Sequence, residues 1–400
     1  MGSYWQTIAS SPVPSSVLAI LLLTAVLTVK NATYLQRFLL FTLISLLIAH
    51  TITSTTSAGA VFVDWTIGHM LIHMLLMASD FLVLSQDPHA EFLPVRENES
   101  QRSKWGDRSL WSRLKWALSL MLNTRCIGWT HEPRKGILPA PRVFRPRRQR
   151  ILLTSLQVLQ FFVLMLLNDV LIKLNPAFRF GSPGVSSSGM SWHLLACLSG
   201  GLIVYAPFSI GHAIWELICV GIFGMDKPGE WCPLFGDIGE AWTVTRFWGV
   251  TWHQTMRRSF GSHARFLAHR MMRLRQGSFM NRLIQTLVAF FLSGVMHQTG
   301  EYMVAREHGH GWWNEGGGSF RFFMLQPLAI VLEHCLLGGK VSKPSIGWRI
   351  FGYLWVLLWF SLTVPVWLNG AVRVGLMDQR VGLVFPRSFN VLPGGWDQYR

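Results

Sequence analysis

Acidic side chains are scarce in this chain. Asp and Glu together number 20 of 400 residues against 36 Lys and Arg, and none occurs from Ala241 to Gly300. Charge of either sign is sparse too, at 14% of residues, where a soluble domain carries about 25%. That deficit excludes an ordinary soluble globular fold. With half the residues hydrophobic and a mean hydropathy of +0.32, the long apolar runs belong in a bilayer. The net charge of +16 does not imply nucleic acid, which calls for a basic face on a soluble fold. Here Lys and Arg sit between apolar runs, the positive-inside arrangement. Anionic lipid headgroups or an anionic cosubstrate suit that charge better.

Cysteine is equally unhelpful to chemistry. Cys126, Cys197, Cys219, Cys232 and Cys335 form no CxxC pair and no metal spacing, so they read as small buried residues. There is no GxSxG elbow, no P-loop and no defensible Ser-His-Asp order, so covalent catalysis has no evident nucleophile. His69 and His73 share a helix face with Asp80 further along, yet no third ligand stands at metal spacing. They read as packing or helix-pairing residues, and no metal is expected. The first apolar run, Val17 to Val29, is followed rather than preceded by the basic Lys30 and Arg37. This favours a first membrane helix over a cleaved signal peptide.

What is present is a series of apolar runs. A bilayer-spanning helix needs roughly 20 mostly apolar residues, and candidates lie at about 15–29, 38–58, 65–84, 151–174, 192–223, 283–305, 320–337 and 347–368. The first is short and the second is rich in Thr and Ser. The expected fold is an all-α polytopic membrane protein of about eight transmembrane helices. It forms a single domain over residues 1–400, with a motif-bearing core at about 225–340. The basic segments 96–150 and 225–282, with Lys340, Lys343 and Arg349, all go to the cytosol on one eight-span path. The sequon-like Asn31-Ala32-Thr33 and Asn98-Glu99-Ser100 then face the cytosol and read as chance matches. Trp105, Trp111, Trp116 and Leu118–Leu122 suggest an interfacial amphipathic helix. Phe266, Leu267, Met271, Met272 and Leu274 among arginines suggest another. Both either rest on the membrane or form the cytosolic mouth of a substrate tunnel.

Two segments concentrate unusual chemistry. His297 lies about 14 residues into its run, roughly 21 Å along a helix, past the middle of the hydrocarbon core. An ionisable residue there is by default a functional hypothesis. Gly294, Ser293 and Gly300 flank it and allow close approach of a ligand or backbone. Glu301 follows one turn later on the same face, where the pair either pins neighbouring helices through hydrogen bonds or serves the site by binding substrate or orienting the imidazole. His253, in the segment Arg246 to Arg258, reads equally as an interfacial imidazole beside Trp248 and Trp252 or as a catalytic group. Arg246, Arg257 and Arg258 either snorkel to headgroups or hold the phosphates of a nucleotide cosubstrate. Asp169 and Lys173 read as a neutralising i, i+4 pair, His212 and Glu216 as bundle hydrogen-bonders, and Glu333-His334 as outlying support.

The block Arg246-Phe247-Trp248-Gly249 with Trp252-His253-Gln254, followed by Ser293-Gly294 and His297, resembles the wax synthase-like branch of the membrane-bound O-acyltransferases, of fungal O-acetyltransferase type. Pro233-Leu234-Phe235-Gly236, Glu240-Ala241-Trp242 and Thr245-Arg246 are similar to the run leading into that motif. Thr124-Arg125-Cys126-Ile127-Gly128-Trp129 resembles an upstream Arg-Gly-Ile-Gly-Trp element, with Cys126 at an expected glycine. The motifs cover roughly Arg125 to Glu301. The resemblance implies His297 and His253 as catalytic residues, acyl-CoA as cosubstrate with no bound cofactor, and a lipophilic alcohol as acceptor. It also implies a multi-pass protein of the endoplasmic reticulum. Acetyl transfer to a terpenoid or meroterpenoid and wax ester synthesis are both family activities. A transporter or lipid-binding protein is the reading from another class, but the chain lacks the internal repeat that many transporters show.

Overall fold

The computed structural model describes residues 10–58, 60–95, 107–133, 146–179, 182, 184–224, 231–306, 311–313, 317–337, 344–373, 376 and 377. Trp105, Arg142, Arg145, Lys340, Lys343 and the Asn98-Glu99-Ser100 triplet lie outside them. Among the described residues the chain is helical, with one isolated bridge between Pro94 and Trp129 and no sheet. The main helices are α1 (Pro12–Thr28), α2 (Tyr34–Ser54), α3 (Val61–Ser79), α4 (Leu110–Leu122) and α5 (Arg147–Leu174). They continue with α6 (Met190–Glu216), α7 (Arg257–Arg265), α8 (Phe279–Ala305), α9 (Gly318–Leu337) and α10 (Ile346–Arg373). Wide π-turns extend α3 over Asp80–Leu84, α6 over Leu217–Ile222 and α7 over Phe266–Met271.

Seven of these helices are long and apolar enough to cross a membrane, and the chain is an integral membrane protein. This agrees with the expected all-α polytopic fold of about eight spans, the remaining expected span being the shorter apolar helix α1. The helix α1 has 17 residues, a rise of roughly 26 Å, short of a hydrocarbon core of about 30 Å. Its run is closed by a turn at Asn31, where φ is 51°. Thr33 then opens α2 through a capping box: its hydroxyl accepts from Gln36 N at 3.3 Å while Gln36 Oε1 accepts from Thr33 N at 2.9 Å. Asn31-Ala32-Thr33 is thus a turn and a helix start.

The described residues fall into two compact units, 1–139 with 233–359, and 140–232 with 360–400. The first holds most of the motif-bearing core. Its apolar centre joins Leu23 and Leu27 of α1, Ile44 and Ile48 of α2, Leu71 of α3, and Trp116 and Leu120 of α4. The tryptophan-bearing helix α4 therefore does more than rest on a membrane. Trp116, Ala117, Leu120 and Met121 form a buried stripe, and Trp116 Nε1 donates to Phe92 O at 2.9 Å, while Trp111 and Leu122 stay exposed. In the second unit, Lys173 pairs with Asp169 at 2.8 Å, as the i, i+4 spacing suggests. Glu216 instead pairs with Arg150, and His212 lies against the Trp231 ring at 5.3 Å.

Candidate active site

The helices α3 and α8 cross where neither carries a side chain. A Cβ on Gly68 would lie 2.8 Å from Gly300 Cα, and one on Gly300 would lie 2.2 Å from His69 Cε1 and 2.9 Å from Trp65 O. Only glycine permits this approach. The approach places His69 Nε2 2.8 Å from His297 Nδ1, across 228 residues of sequence. His69 Nδ1 in turn lies 2.7 Å from the Trp65 carbonyl. The Phe323 ring of α9 stacks on His297 at 4.4 Å and 28°. His69 is buried, and His297 is half-buried.

Glu301 ties α8 to the neighbouring helix α9. It is buried at the start of α9, where it accepts from Ser319 Oγ at 2.6 Å and Ser319 N at 3.4 Å, and Gln298 Oε1 accepts from Phe320 N at 3.3 Å. The first N–H groups of a helix lack internal partners and favour negative charge. Gln298, next to the histidine, and Glu301, one turn beyond it, supply what that helix start needs.

The motif segment is anchored at its beginning by Glu333, which does much more than give outlying support. This buried carboxylate accepts from Val244 N at 2.6 Å, Thr245 N at 2.9 Å, Thr245 Oγ1 at 2.6 Å and Trp355 Nε1 at 2.8 Å. Phe247–Thr251 then forms a π-turn, a feature frequent at functional sites. Trp248 Nε1 donates to Gln326 Oε1 at 3.2 Å, and its ring contacts Phe290 and Phe323 at 5.6 and 5.9 Å. Trp252 stacks on Phe247 at 5.4 Å. Trp248 thus joins the ring wall that reaches His297. His253 packs against Phe235 at 5.7 Å and Trp252 at 5.5 Å. Burial lowers its pKa to about 4, so it is neutral at physiological pH, with one N–H to donate.

The three arginines have separate duties. Arg258, 7% exposed, pairs with Asp80, 4% exposed, at 2.6 Å. That contact between α7 and the end of α3 leaves it no role as a headgroup anchor in an open loop. Arg257 donates to Gly249 O at 3.1 Å and Gln254 Oε1 at 2.6 Å, bracing the motif loop. Arg246 pairs with Glu240 and lies over the Trp242 ring at 5.0 Å. It also lines a cavity of about 330 Å³ shared with Arg282, Thr286, Ile330 and His334. His73 Nε2 lies 3.4 Å from Ser259 Oγ of α7. Sequence reasoning left His69, Gln326 and Phe323 outside the site. The one signal was His69 itself, a polar residue in an apolar run.

The described residues thus hold paired imidazoles against aromatic rings within apolar helices. Residues 231–325 match the model of the membrane bound O-acyl transferase family. The chain is 33% identical over 350 residues to the acetyltransferase eriL of Hericium erinaceus, covering 86% of each. It is 30% identical over 342 residues to the acetyltransferase ple2 of Rhodocybe pseudopiperita, covering 84% of this chain and 85% of that one. To the O-Mevalon transferase yanI of Aspergillus niger it is 27% identical, over 71% and 69% of the two chains. No solved structure matches. The chain belongs to the membrane bound O-acyl transferase family and is an O-acyltransferase.

Proposed function

We propose that this enzyme moves an acetyl group from acetyl-CoA to a hydroxyl of a lipophilic acceptor of terpenoid or meroterpenoid class, in the endoplasmic-reticulum membrane. The observation that carries the reading is the half-buried imidazole of His297, inside a span and walled by Phe323. It acts as the general base. Its Nε2 takes the hydroxyl proton as the oxygen attacks the thioester carbonyl, and the same proton passes to the departing CoA sulfur. His253, neutral and half-buried, donates to the developing oxyanion, a contribution of about 10²–10³-fold in rate for such donors. The apolar surround keeps water from the thioester. The names of the relatives, two acetyltransferases and an O-Mevalon transferase, favour a short acyl group over a fatty one.

The cavity beside Arg246 and Arg282 suits the donor. Its Thr286 lies eleven residues before His297 on α8, roughly 16 Å along the axis. The arginines provide forked donors for phosphate oxygens at its mouth, on the side that positive-inside bias assigns to the cytosol. Arg282→Gln should raise the KM for acetyl-CoA about tenfold, the loss of one charge-assisted hydrogen bond. The KM for the alcohol should stay unchanged. The difference should shrink at high salt, which screens exposed charge. An unchanged donor KM removes the cavity from the donor path.

The activity itself is tested by incubating membranes that contain the enzyme with radiolabelled acetyl-CoA or palmitoyl-CoA and a panel of terpenoid and long-chain alcohols. The expected product is the acetate ester of a terpenoid alcohol. Labelled ester from palmitoyl-CoA and a fatty alcohol alone would transfer the enzyme to wax ester synthesis. No ester from any pair would defeat the reading.

A further inference from the structure

We infer that His69 is a positioning residue, which fixes the His297 proton on Nδ1 and so leaves Nε2 as the basic nitrogen. The inference rests on the role of His297 as base given above, and the hydrogen-bond geometry carries it. His69 Nδ1 lies 2.7 Å from the Trp65 carbonyl. A carbonyl only accepts, so this nitrogen carries a proton. In a neutral imidazole the other nitrogen, Nε2, is then a lone pair. It lies 2.8 Å from His297 Nδ1, so His297 Nδ1 must be the donor. One direction runs through the chain: His297 Nδ1–H to His69 Nε2, and His69 Nδ1–H to Trp65 O. His297 Nε2 remains free of its proton, as a general base requires.

The reverse direction fails on chemistry. A His69 that donated from Nε2 would either turn a lone pair toward the Trp65 carbonyl or carry a charge. His297 would then hold its proton on Nε2 and be unable to accept one. The role matches that of the carboxylate in a Ser-His-Asp triad, which holds the tautomer and stabilises the imidazolium. A neutral acceptor performs it here without an extra buried charge. The nearest carboxylate along α8, Glu301, is occupied at the start of α9. When His297 takes the hydroxyl proton, its Nδ1–H still points at the His69 lone pair. His69 gains no proton, and the one on His297 Nε2 goes on to the CoA sulfur.

The Gly68–Gly300 crossing explains why this contact persists. A methyl group on Gly300 would overlap the His69 ring itself, 2.2 Å from Cε1 and 2.3 Å from Nδ1. Trp65, whose ring centroid is 4.2 Å from that of His69, closes another side. The His69 ring therefore has little room to turn.

The test compares His69→Gln, His69→Met and His297→Ala in membranes normalised for enzyme content, with kcat and both KM values measured. Glutamine places an amide oxygen near the position of Nε2, and methionine fills similar space without that acceptor. His69→Met should lose kcat by about 10–100-fold, the worth of one hydrogen bond to a charged group, with both KM values near wild type. His69→Gln should recover a large part of that loss. Equal rates for the Gln and Met variants overturn the inference, as does a change confined to KM. Failure of both to accumulate would make His69 a packing residue and overturns it equally. If His297→Ala keeps its turnover, the catalytic reading beneath the inference fails. If His297→Ala is inactive while both His69 variants match wild type, only the inference fails.

Discussion

His297→Ala is expected to lower acyl transfer by about 10²–10⁴-fold, the usual consequence of losing a general base, while the enzyme still inserts and accumulates. The imidazole is half-buried, and its surroundings on α8 are small residues, Ser293, Gly294 and Gly300. Removing it leaves a modest void beside Phe323. It also leaves His69 Nε2 without its donor, an acceptor whose isolation costs about 1–3 kcal/mol. Neither effect is on the scale of the contacts that hold seven spans in a membrane. The measurement is kcat in membranes, normalised to enzyme by an epitope tag. Near-normal turnover at normal enzyme level would falsify the mechanism proposed for this site.

Asp80→Ala should have the largest effect on stability. Asp80 and Arg258 form an ion pair at 2.6 Å, with 4% and 7% of their surfaces exposed. Removing one partner of a buried pair leaves a desolvated charge and costs about 3–5 kcal/mol. Arg258→Ala should cost a similar amount, whereas Asp80→Leu with Arg258→Met should recover much of the loss, because neither charge is then buried alone. The readout is the Tm of the detergent-solubilised enzyme. It separates this role from donor binding, since the Arg258→Ala enzyme that does fold should keep its KM for acetyl-CoA. An unchanged Tm in Asp80→Ala would show that the pair contributes nothing.

The linear pattern of the chain reveals its spans because hydropathy and loop charge are local properties. Seven expected spans reappear as long apolar helices, and only the 17-residue α1 falls short. His297 stood out for the same reason, as one imidazole in a long apolar run. Side-chain partners were less legible. Glu301 shares a helix face with His297 at i, i+4, yet its carboxylate goes to Ser319, since the start of a neighbouring helix presents N–H groups with no other partner. Arg258 lies in a run of arginines that looks like a surface loop, yet it reaches Asp80, 178 positions earlier in the chain.

The sequence by itself determined the membrane class, the helical architecture and the family resemblance, along with the residues in which polar chemistry sits inside apolar runs. Those follow from composition and period, which any stretch of chain carries alone. Only the tertiary structure decided that His69 faces His297, that Arg258 answers Asp80, and that Glu333 anchors the Val244–Arg246 turn. Each of these contacts joins segments far apart in the chain. They exist because helices meet at particular depths and angles, set in the first case by the absence of side chains at Gly68 and Gly300. A pattern read along one helix contains no information about which face of another will be there to meet it.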